Sequence, residues 1–188
     1  LYHKPDGVIT SRNDPQQRPT IYDGPKLKGL PFRVNTVGRL DFRTEGLLLL
    51  TNDGALNDAI AHPRSQVPRS YYALINGKLS REQMAEIAKG IQLEDGPLKK
   101  VEVKPLLGKR LGATKGRWYE VTVYEGRNRL VRRLFEHFDL RVVRLVRYRF
   151  GNLELPENLR PGHHRELTPA QLAELSSLAV PRASAKPA

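Results

Sequence analysis

No cysteine occurs in the 188 residues, which removes disulfide frameworks, thiolate zinc ribbons and cysteine nucleophiles and fits a cytoplasmic location. No apolar run approaches the ~20 residues needed to span a bilayer. The opening Leu1-Tyr2-His3-Lys4-Pro5 has no signal-peptide pattern and begins abruptly in strand-like sequence, which leads us to expect a fragment of a longer protein. Internal repeats and glycine-rich phosphate loops of the Walker or dinucleotide type are missing. The five histidines show no spacing that suggests a metal centre or a Ser/His/Asp triad. Acids are in the minority, 20 against 32 lysines and arginines.

What is present is a net charge of +12 and 39% hydrophobic residues, enough for one substantial core or two small lobes sharing a sheet. The charge points to a polyanion, nucleic acid first. An anionic membrane would call for a long basic amphipathic helix with a bulky apolar face, and none is seen.

Asp6 to Pro31 has a loop composition carrying charges that suit a phosphate backbone or solvent equally. Strands are expected at Val34 to Leu40 and Leu47 to Thr51 around an Asp41 to Gly46 turn, then a short helix from Ala55 to His62 ended by Pro63. A strand follows at Val67 to Asn76, and Ser80-Arg81-Glu82-Gln83 reads as a capping box opening a helix to about Lys89. Ile91 to Glu94, Lys99 to Leu107 and Trp118 to Tyr124 read as strands, with Gly108 to Arg117 as a hairpin loop. Asn128 to Phe138 has helical periodicity with Arg129, Arg132 and Arg133 on a basic side. Val142 to Phe150 is a strand interrupted by three arginines, and Thr168-Pro169 starts a last helix. One folded region over residues 1–180 and a disordered tail over 181–188 are expected. The absence of a regular strand-helix-strand rhythm favours an α+β fold on a mostly antiparallel mixed sheet flanked by helices and loops.

One acid stands out. Asp41, in Gly38-Arg39-Leu40-Asp41, opens a turn before a four-leucine strand, where partial desolvation and a nearby cation can make a nucleophile without a metal or cofactor. A turn or capping role is the ordinary alternative for an isolated aspartate. Two further clusters accompany it, Arg69-Ser70-Tyr71-Tyr72-Ala73 and Tyr124-Glu125-Gly126-Arg127-Asn128-Arg129-Leu130-Val131-Arg132-Arg133-Leu134-Phe135-Glu136. In this order, with Tyr2-His3-Lys4-Pro5, His62-Pro63 and Arg144-Leu145-Val146-Arg147, they resemble the pseudouridine synthases, within them the bacterial group of small-subunit synthase A and large-subunit synthases B, E and F, and B above all. The resemblance covers nearly the whole chain but not the small S4-type RNA-binding domain that precedes the catalytic domain in that group.

The resemblance implies the pseudouridine synthase fold with a catalytic cleft across the sheet, no cofactor, no metal, and isomerisation of a uridine in large-subunit (23S) ribosomal RNA. A small-subunit (16S) or other RNA is the alternative target. It makes Asp41 the essential aspartate, acting at the ribose anomeric carbon or on the C2′ proton. Tyr71 stacks on the base and takes the C5 proton, with Tyr72 left to the core. Arg132 pairs with the aspartate through a bidentate bond, and Arg39 fills the stack vacated by the flipped uridine. For Arg129 and Arg133 a phosphate contact or a solvated face is as apt as a catalytic role. Arg127 and Asn128 at the helix start, and Arg12 and Arg18 in the first loop, are RNA-contact candidates. The expected partner is ribosomal RNA alone, bound by a monomer, with no membrane involved. The rivals are a non-catalytic RNA-binding or ribosome-assembly protein, which has little use for an acid in a positive groove, and a metal-dependent nuclease, which would gather several acids.

Overall fold

The computed structural model describes residues 1–106 and 116–179. The elements run β1 (Tyr2–Lys4), α1 (Pro25–Lys28), β2 (Asn35–Val37), β3 (Thr44–Thr51), α2 (Gly54–Ala61), β4 (Arg69–Ile75), α3 (Arg81–Lys89), β5 (Ile91–Leu93), β6 (Gly96–Leu98), β7 (Val101–Pro105), β8 (Arg117–Val123), α4 (Leu130–Glu136), β9 (Val142–Phe150), β10 (Leu153–Glu154) and α5 (Pro169–Ala179). Eight of the strands form one sheet in the order β1-β3-β9-β4-β8-β7, with β2 added to β3 and β10 to β9. Only the β3–β9 pairing is parallel; the others are antiparallel. The fold is therefore α+β on a mostly antiparallel mixed sheet, as expected.

The four-leucine run is the reason β3 sits inside. Leu48 joins one apolar cluster with Tyr71, Ala73, Ile75, Val121 and the apolar side of α4, while Leu47 and Leu49 join a second with Val37, Ile60, Val67 and Phe150. A strand buried on both faces loses the polar alternation of a half-solvated one, and each fully buried leucine contributes about 1.5–3 kcal/mol. Gly46 (φ +107°) lies opposite Arg147 in the parallel pair, and a side chain there would run into the Arg147 backbone. Glycine is required for β3 and β9 to close.

The capping boxes are observed at Ser80–Gln83 and Thr168–Gln171. The first loop holds more order than its composition suggested: a Thr20–Asp23 capping box opens a 3-10 turn ahead of α1. The expected Val34–Leu40 strand narrows to Asn35–Val37, the expected Leu47 strand starts three residues earlier at Thr44, and the expected Ile91 strand is half of a β5–β6 hairpin. The Gly108 to Arg117 loop falls, but for its last two residues, outside the described residues, as does the 181–188 tail. No described helix is long and apolar enough to cross a membrane.

The α4 segment departs from expectation in one respect that bears on the site. Arg132 is buried at 8% exposure and Arg133 is half-buried, so the three arginines do not form a solvated stripe. Arg129 precedes the helix in the left-handed conformation, φ 49°.

Candidate active site

Asp41 is held by its backbone from both sides. Upstream, the Thr10 hydroxyl donates to Leu40 O (2.8 Å) and accepts from Leu40 N (3.3 Å). Downstream, Gly7 N donates to Phe42 O at 3.0 Å, Lys4 Nζ to Thr44 O at 2.8 Å, and Arg132 to Arg43 O at 2.7 Å. The turn itself closes through Thr44 N to Asp41 O at 3.0 Å. Two buried cations thus grip three consecutive carbonyls of the Asp41 turn. Such an arrangement fixes a carboxylate's position while leaving its oxygens available.

Arg132 therefore does something other than form the bidentate pair with Asp41. Its fork is spent on the carbonyls of Arg43 and Val142, the latter at 3.0 Å, tying the turn to β9. It attracts Asp41 through space, as does Lys4; among the described residues the Asp41 carboxylate has no direct ion pair. Burial pulls the Arg132 cation below its ordinary range, with the charge of Arg129 adding to the effect and Asp41 opposing it. Burial likewise lowers Lys4 to about 8, against the pull of Asp6, Asp41 and Glu45. Lys4, fully enclosed, was quoted in the sequence only as part of an opening strand; a lysine on an otherwise buried strand was the available signal.

Asp41 and Tyr71 line one cavity of about 380 Å³, together with the Glu125–Val131 segment and with Val123, Leu145 and Phe150. A second cavity of about 280 Å³ adjoins it across Arg39, Asp41 and Asn128 and runs along Ser11, Asn13 and Arg18. Tyr71 is 9% exposed. Tyr72 points to the other side of the sheet, as alternation requires, but it is stacked on Tyr148 with ring centroids 4.0 Å apart rather than packed in the core.

The RNA-contact candidates divide. Arg39 and Asn128 are exposed on the cavity walls, and Arg39 forms no ion pair among the described residues. Arg127 and Arg133 both bond Asp95, at 2.7 and 2.6 Å, and Arg127 also bonds Glu125. Arg129 pairs with Glu136 at 2.9 Å, and Arg18 is bidentate to Asp14. Arg12 donates to Val34 O and lies over the Tyr22 ring. Two cavity-lining arginines, Arg69 and Arg147, had not been singled out; they occupy alternate positions with Tyr71 and in the arginine-interrupted strand. No described cluster of three or more His, Asp or Glu residues could hold a metal ion.

Known proteins give this arrangement its family. The chain is 43% identical over 178 residues to "Ribosomal large subunit pseudouridine synthase B" of Salmonella typhimurium, covering 94% of this chain and 59% of that protein. The protein of the same name from Yersinia pestis is 42% identical over 88% of this chain and 51% of its own length. The chain thus spans little more than half of these curated relatives. A solved structure described as a pseudouridylate synthase superposes with a TM-score of 0.79 at 30% identity, over 93% of this chain and 71% of that one. An H/ACA RNP bound to a substrate RNA containing 2′-deoxyuridine shares the fold at a TM-score of 0.58 and 18% identity. The family model "RNA pseudouridylate synthase" matches residues 1–137, the stretch that contains Asp41, Tyr71 and Arg132, and the chain belongs to that family.

Proposed function

We propose that the protein is an RNA pseudouridine synthase that isomerises a uridine of bacterial large-subunit ribosomal RNA, working in the cytoplasm as a monomer and without cofactor or metal. One observation carries this: Asp41 and Tyr71, brought from separate elements, line a single cavity of about 380 Å³. That volume falls in the range of small-ligand sites and suits one flipped nucleotide. The names of the 43%-identical relatives support the large-subunit target.

In this reading Asp41, its carboxylate without an ion pair among the described residues and its backbone clamped, attacks the ribose anomeric carbon or removes the C2′ proton. The uracil detaches, turns and rejoins through C5, while Tyr71 stacks on it and accepts the C5 proton. Arg132 acts as a positioning residue and a through-space counter-charge rather than a bidentate partner. Arg39, exposed on the wall shared by both cavities, fills the gap that the uridine leaves. The net charge of +12 anchors the RNA, so binding weakens steeply with salt. The test is tritium release from C5-labelled uridine in ribosomal RNA. Wild-type protein should release it and Asp41→Asn should not; no release from any ribosomal RNA by the wild type would refute the function.

A further inference from the structure

We propose that Arg69 and Arg147 form a paired guanidinium seat for the uracil ring while it is detached and anionic. This rests on the pseudouridine synthase reading.

Arg147 is the direct cross-strand partner of Tyr71, and Arg69 is the partner of Phe150. Strict alternation along β9 from Arg147 would send Phe150 to the far side of the sheet. The register shift between Ser70 and Tyr71 inserts Tyr148 as an extra residue, and so brings Phe150 back to the cavity side. Its ring then lies under both cations, 5.3 Å from the Arg69 guanidinium carbon and 5.4 Å from that of Arg147. Arg147 is only 2% exposed; its Nε donates to Leu47 O at 2.7 Å and one terminal nitrogen has no hydrogen-bond partner among the described residues. Arg69 donates to Val67 O, and its guanidinium lies where a side chain on Gly126 would touch it.

Among the described residues neither arginine has a carboxylate within ion-pair distance. Their charges oppose one another: burial first, with Arg147 adding to it and Tyr71 opposing, pulls the Arg69 cation below its ordinary range. Two cations without a carboxylate partner in a cavity wall carry a desolvation penalty that an anionic ligand would offset. Glu125, the other acid on the wall, is taken by Arg127, and Asp41 is felt by Lys4 and Arg132 instead. The cavity therefore has an acidic end and a cationic end, the latter beside Tyr71.

The reaction generates an anion for that end. When the C1′–N1 bond breaks, its electron pair stays on the ring and the charge spreads to O2 and O4. Asp41 meanwhile holds C1′ covalently or holds the C2′ proton; after rotation C5 bonds to C1′ as the Asp41–C1′ bond breaks or the proton returns to C2′, and Tyr71 takes the C5 proton on its oxygen while passing its own phenol proton to N1, so atoms and charge balance without an outside reactant. Fixed cations stabilise the detached anion far more than the neutral uridine, which is the condition for raising kcat rather than lowering KM.

The test uses 5-fluorouracil, whose anion absorbs at longer wavelength than the neutral base, and the less acidic thymine. At near-neutral pH the wild type should bind 5-fluorouracil about tenfold more tightly than thymine, with the bound base showing the anion spectrum. Arg69→Met and Arg147→Met should lose both effects while melting within a few degrees of wild type, and each should lower kcat on RNA by about 10²–10³-fold. A neutral spectrum, equal affinities, or no binding of either base at millimolar concentration would overturn the seat, and the wild-type arm alone decides this if a variant fails to fold. Dependence of uridine 5′-monophosphate binding on the two arginines, with 5-fluorouracil unaffected, would overturn it in favour of a backbone phosphate. Tritium release measured alongside separates the two questions. Release with a neutral spectrum removes the seat alone, whereas an anion spectrum without release removes the reaction.

Discussion

Strands β4 and β9 present two faces built from alternating residues of the same sequence, and the faces treat charge in opposite ways. Away from the cavity, polar groups are matched: Arg144 is bidentate to Glu45 at 2.8 and 2.9 Å, Tyr148 bonds Glu120 at 2.7 Å, and Ser70 joins Thr122 at 2.8 Å and Arg149 at 3.2 Å. On the cavity side, Arg69 and Arg147 meet an aromatic ring and backbone carbonyls. The same two strands thus pair their charges with acids and hydroxyls on one face and, among the described residues, leave two arginines without a carboxylate partner on the other, where the proposed substrate would bind. Local strain of this kind is retained where the surrounding structure and a function require it.

The sharpest break of that contrast is at Asp41. Asp41→Asn should lower turnover by on the order of 10⁴-fold, the upper end for loss of a positioned base and consistent with loss of a nucleophile. Its stability should stay within about 0.5 kcal/mol of wild type, since the turn is held by backbone bonds the substitution spares. Single-turnover assays with thermal unfolding check both, and residual turnover within tenfold of wild type would remove Asp41 from the chemistry.

A smaller effect separates position from field. Lys4 touches the Asp41 turn only through carbonyls, yet its charge reaches the carboxylate. Burial lowers its pKa to about 8 in the folded protein, from the ordinary lysine value of 10.5 in the unfolded chain. Between those values the unfolded state binds more protons, so stability rises with pH across that window. Turnover should fall in the same window as the cation beside Asp41 disappears. Lys4→Met should abolish the rise in stability and flatten the pH profile at about a tenth of wild-type activity, an effect of ~1.4 kcal/mol. Parallel pH profiles in the two proteins would show that Lys4 acts through its hydrogen bonds alone.

On the opposite face the effect should be one of stability only. Glu45→Gln leaves the Arg144 guanidinium with a neutral partner across a half-exposed pair, and should cost about 1 kcal/mol or less in denaturant unfolding without changing turnover. A loss of activity there would mean that the two faces are coupled through β3.

Asp41 could be singled out in the sequence from its neighbours, with a turn role as the alternative, and Tyr71 through the family resemblance alone; the structure brings both to one cavity. Arg132 was legible as a cation near the site, but not where its fork goes; that depends on the carbonyls of Arg43 and Val142, one of them 89 residues away in sequence. Arg69 and Arg147 were hidden for a different reason. Three arginines interrupt β9, and alternation cannot say which enter the cavity when a bulge at Tyr148 reverses the order partway along. The β6 strand was missed because glycine and proline occupy two of its three positions, and with it went the significance of Asp95.

That hairpin offers the mildest test. Asp95 sits at its turn and holds two arginines, Arg127 from 32 and Arg133 from 38 residues away. Its carboxylate is held below the usual range chiefly by the bond to Arg133, so both cations are neutralised throughout the neutral range. Here the cavity rim resembles the far face of the sheet, with charges matched inside the protein. Asp95→Asn keeps the hairpin's shape and one hydrogen-bond acceptor but removes the negative charge. Glu125 still holds Arg127, so close to one additional cation becomes available to phosphate. Binding of a ribosomal RNA hairpin should tighten a few-fold at low salt, and the salt slope should steepen by about 1. Turnover with saturating RNA should be unchanged, because Arg133 is not among the residues lining the Asp41 cavity and Arg127 stays bound to Glu125. An unaltered slope would mean that RNA never reaches Arg133; a lowered kcat would mean that Asp95 positions the Glu125–Arg129 wall of the cavity and belongs with the site rather than its rim.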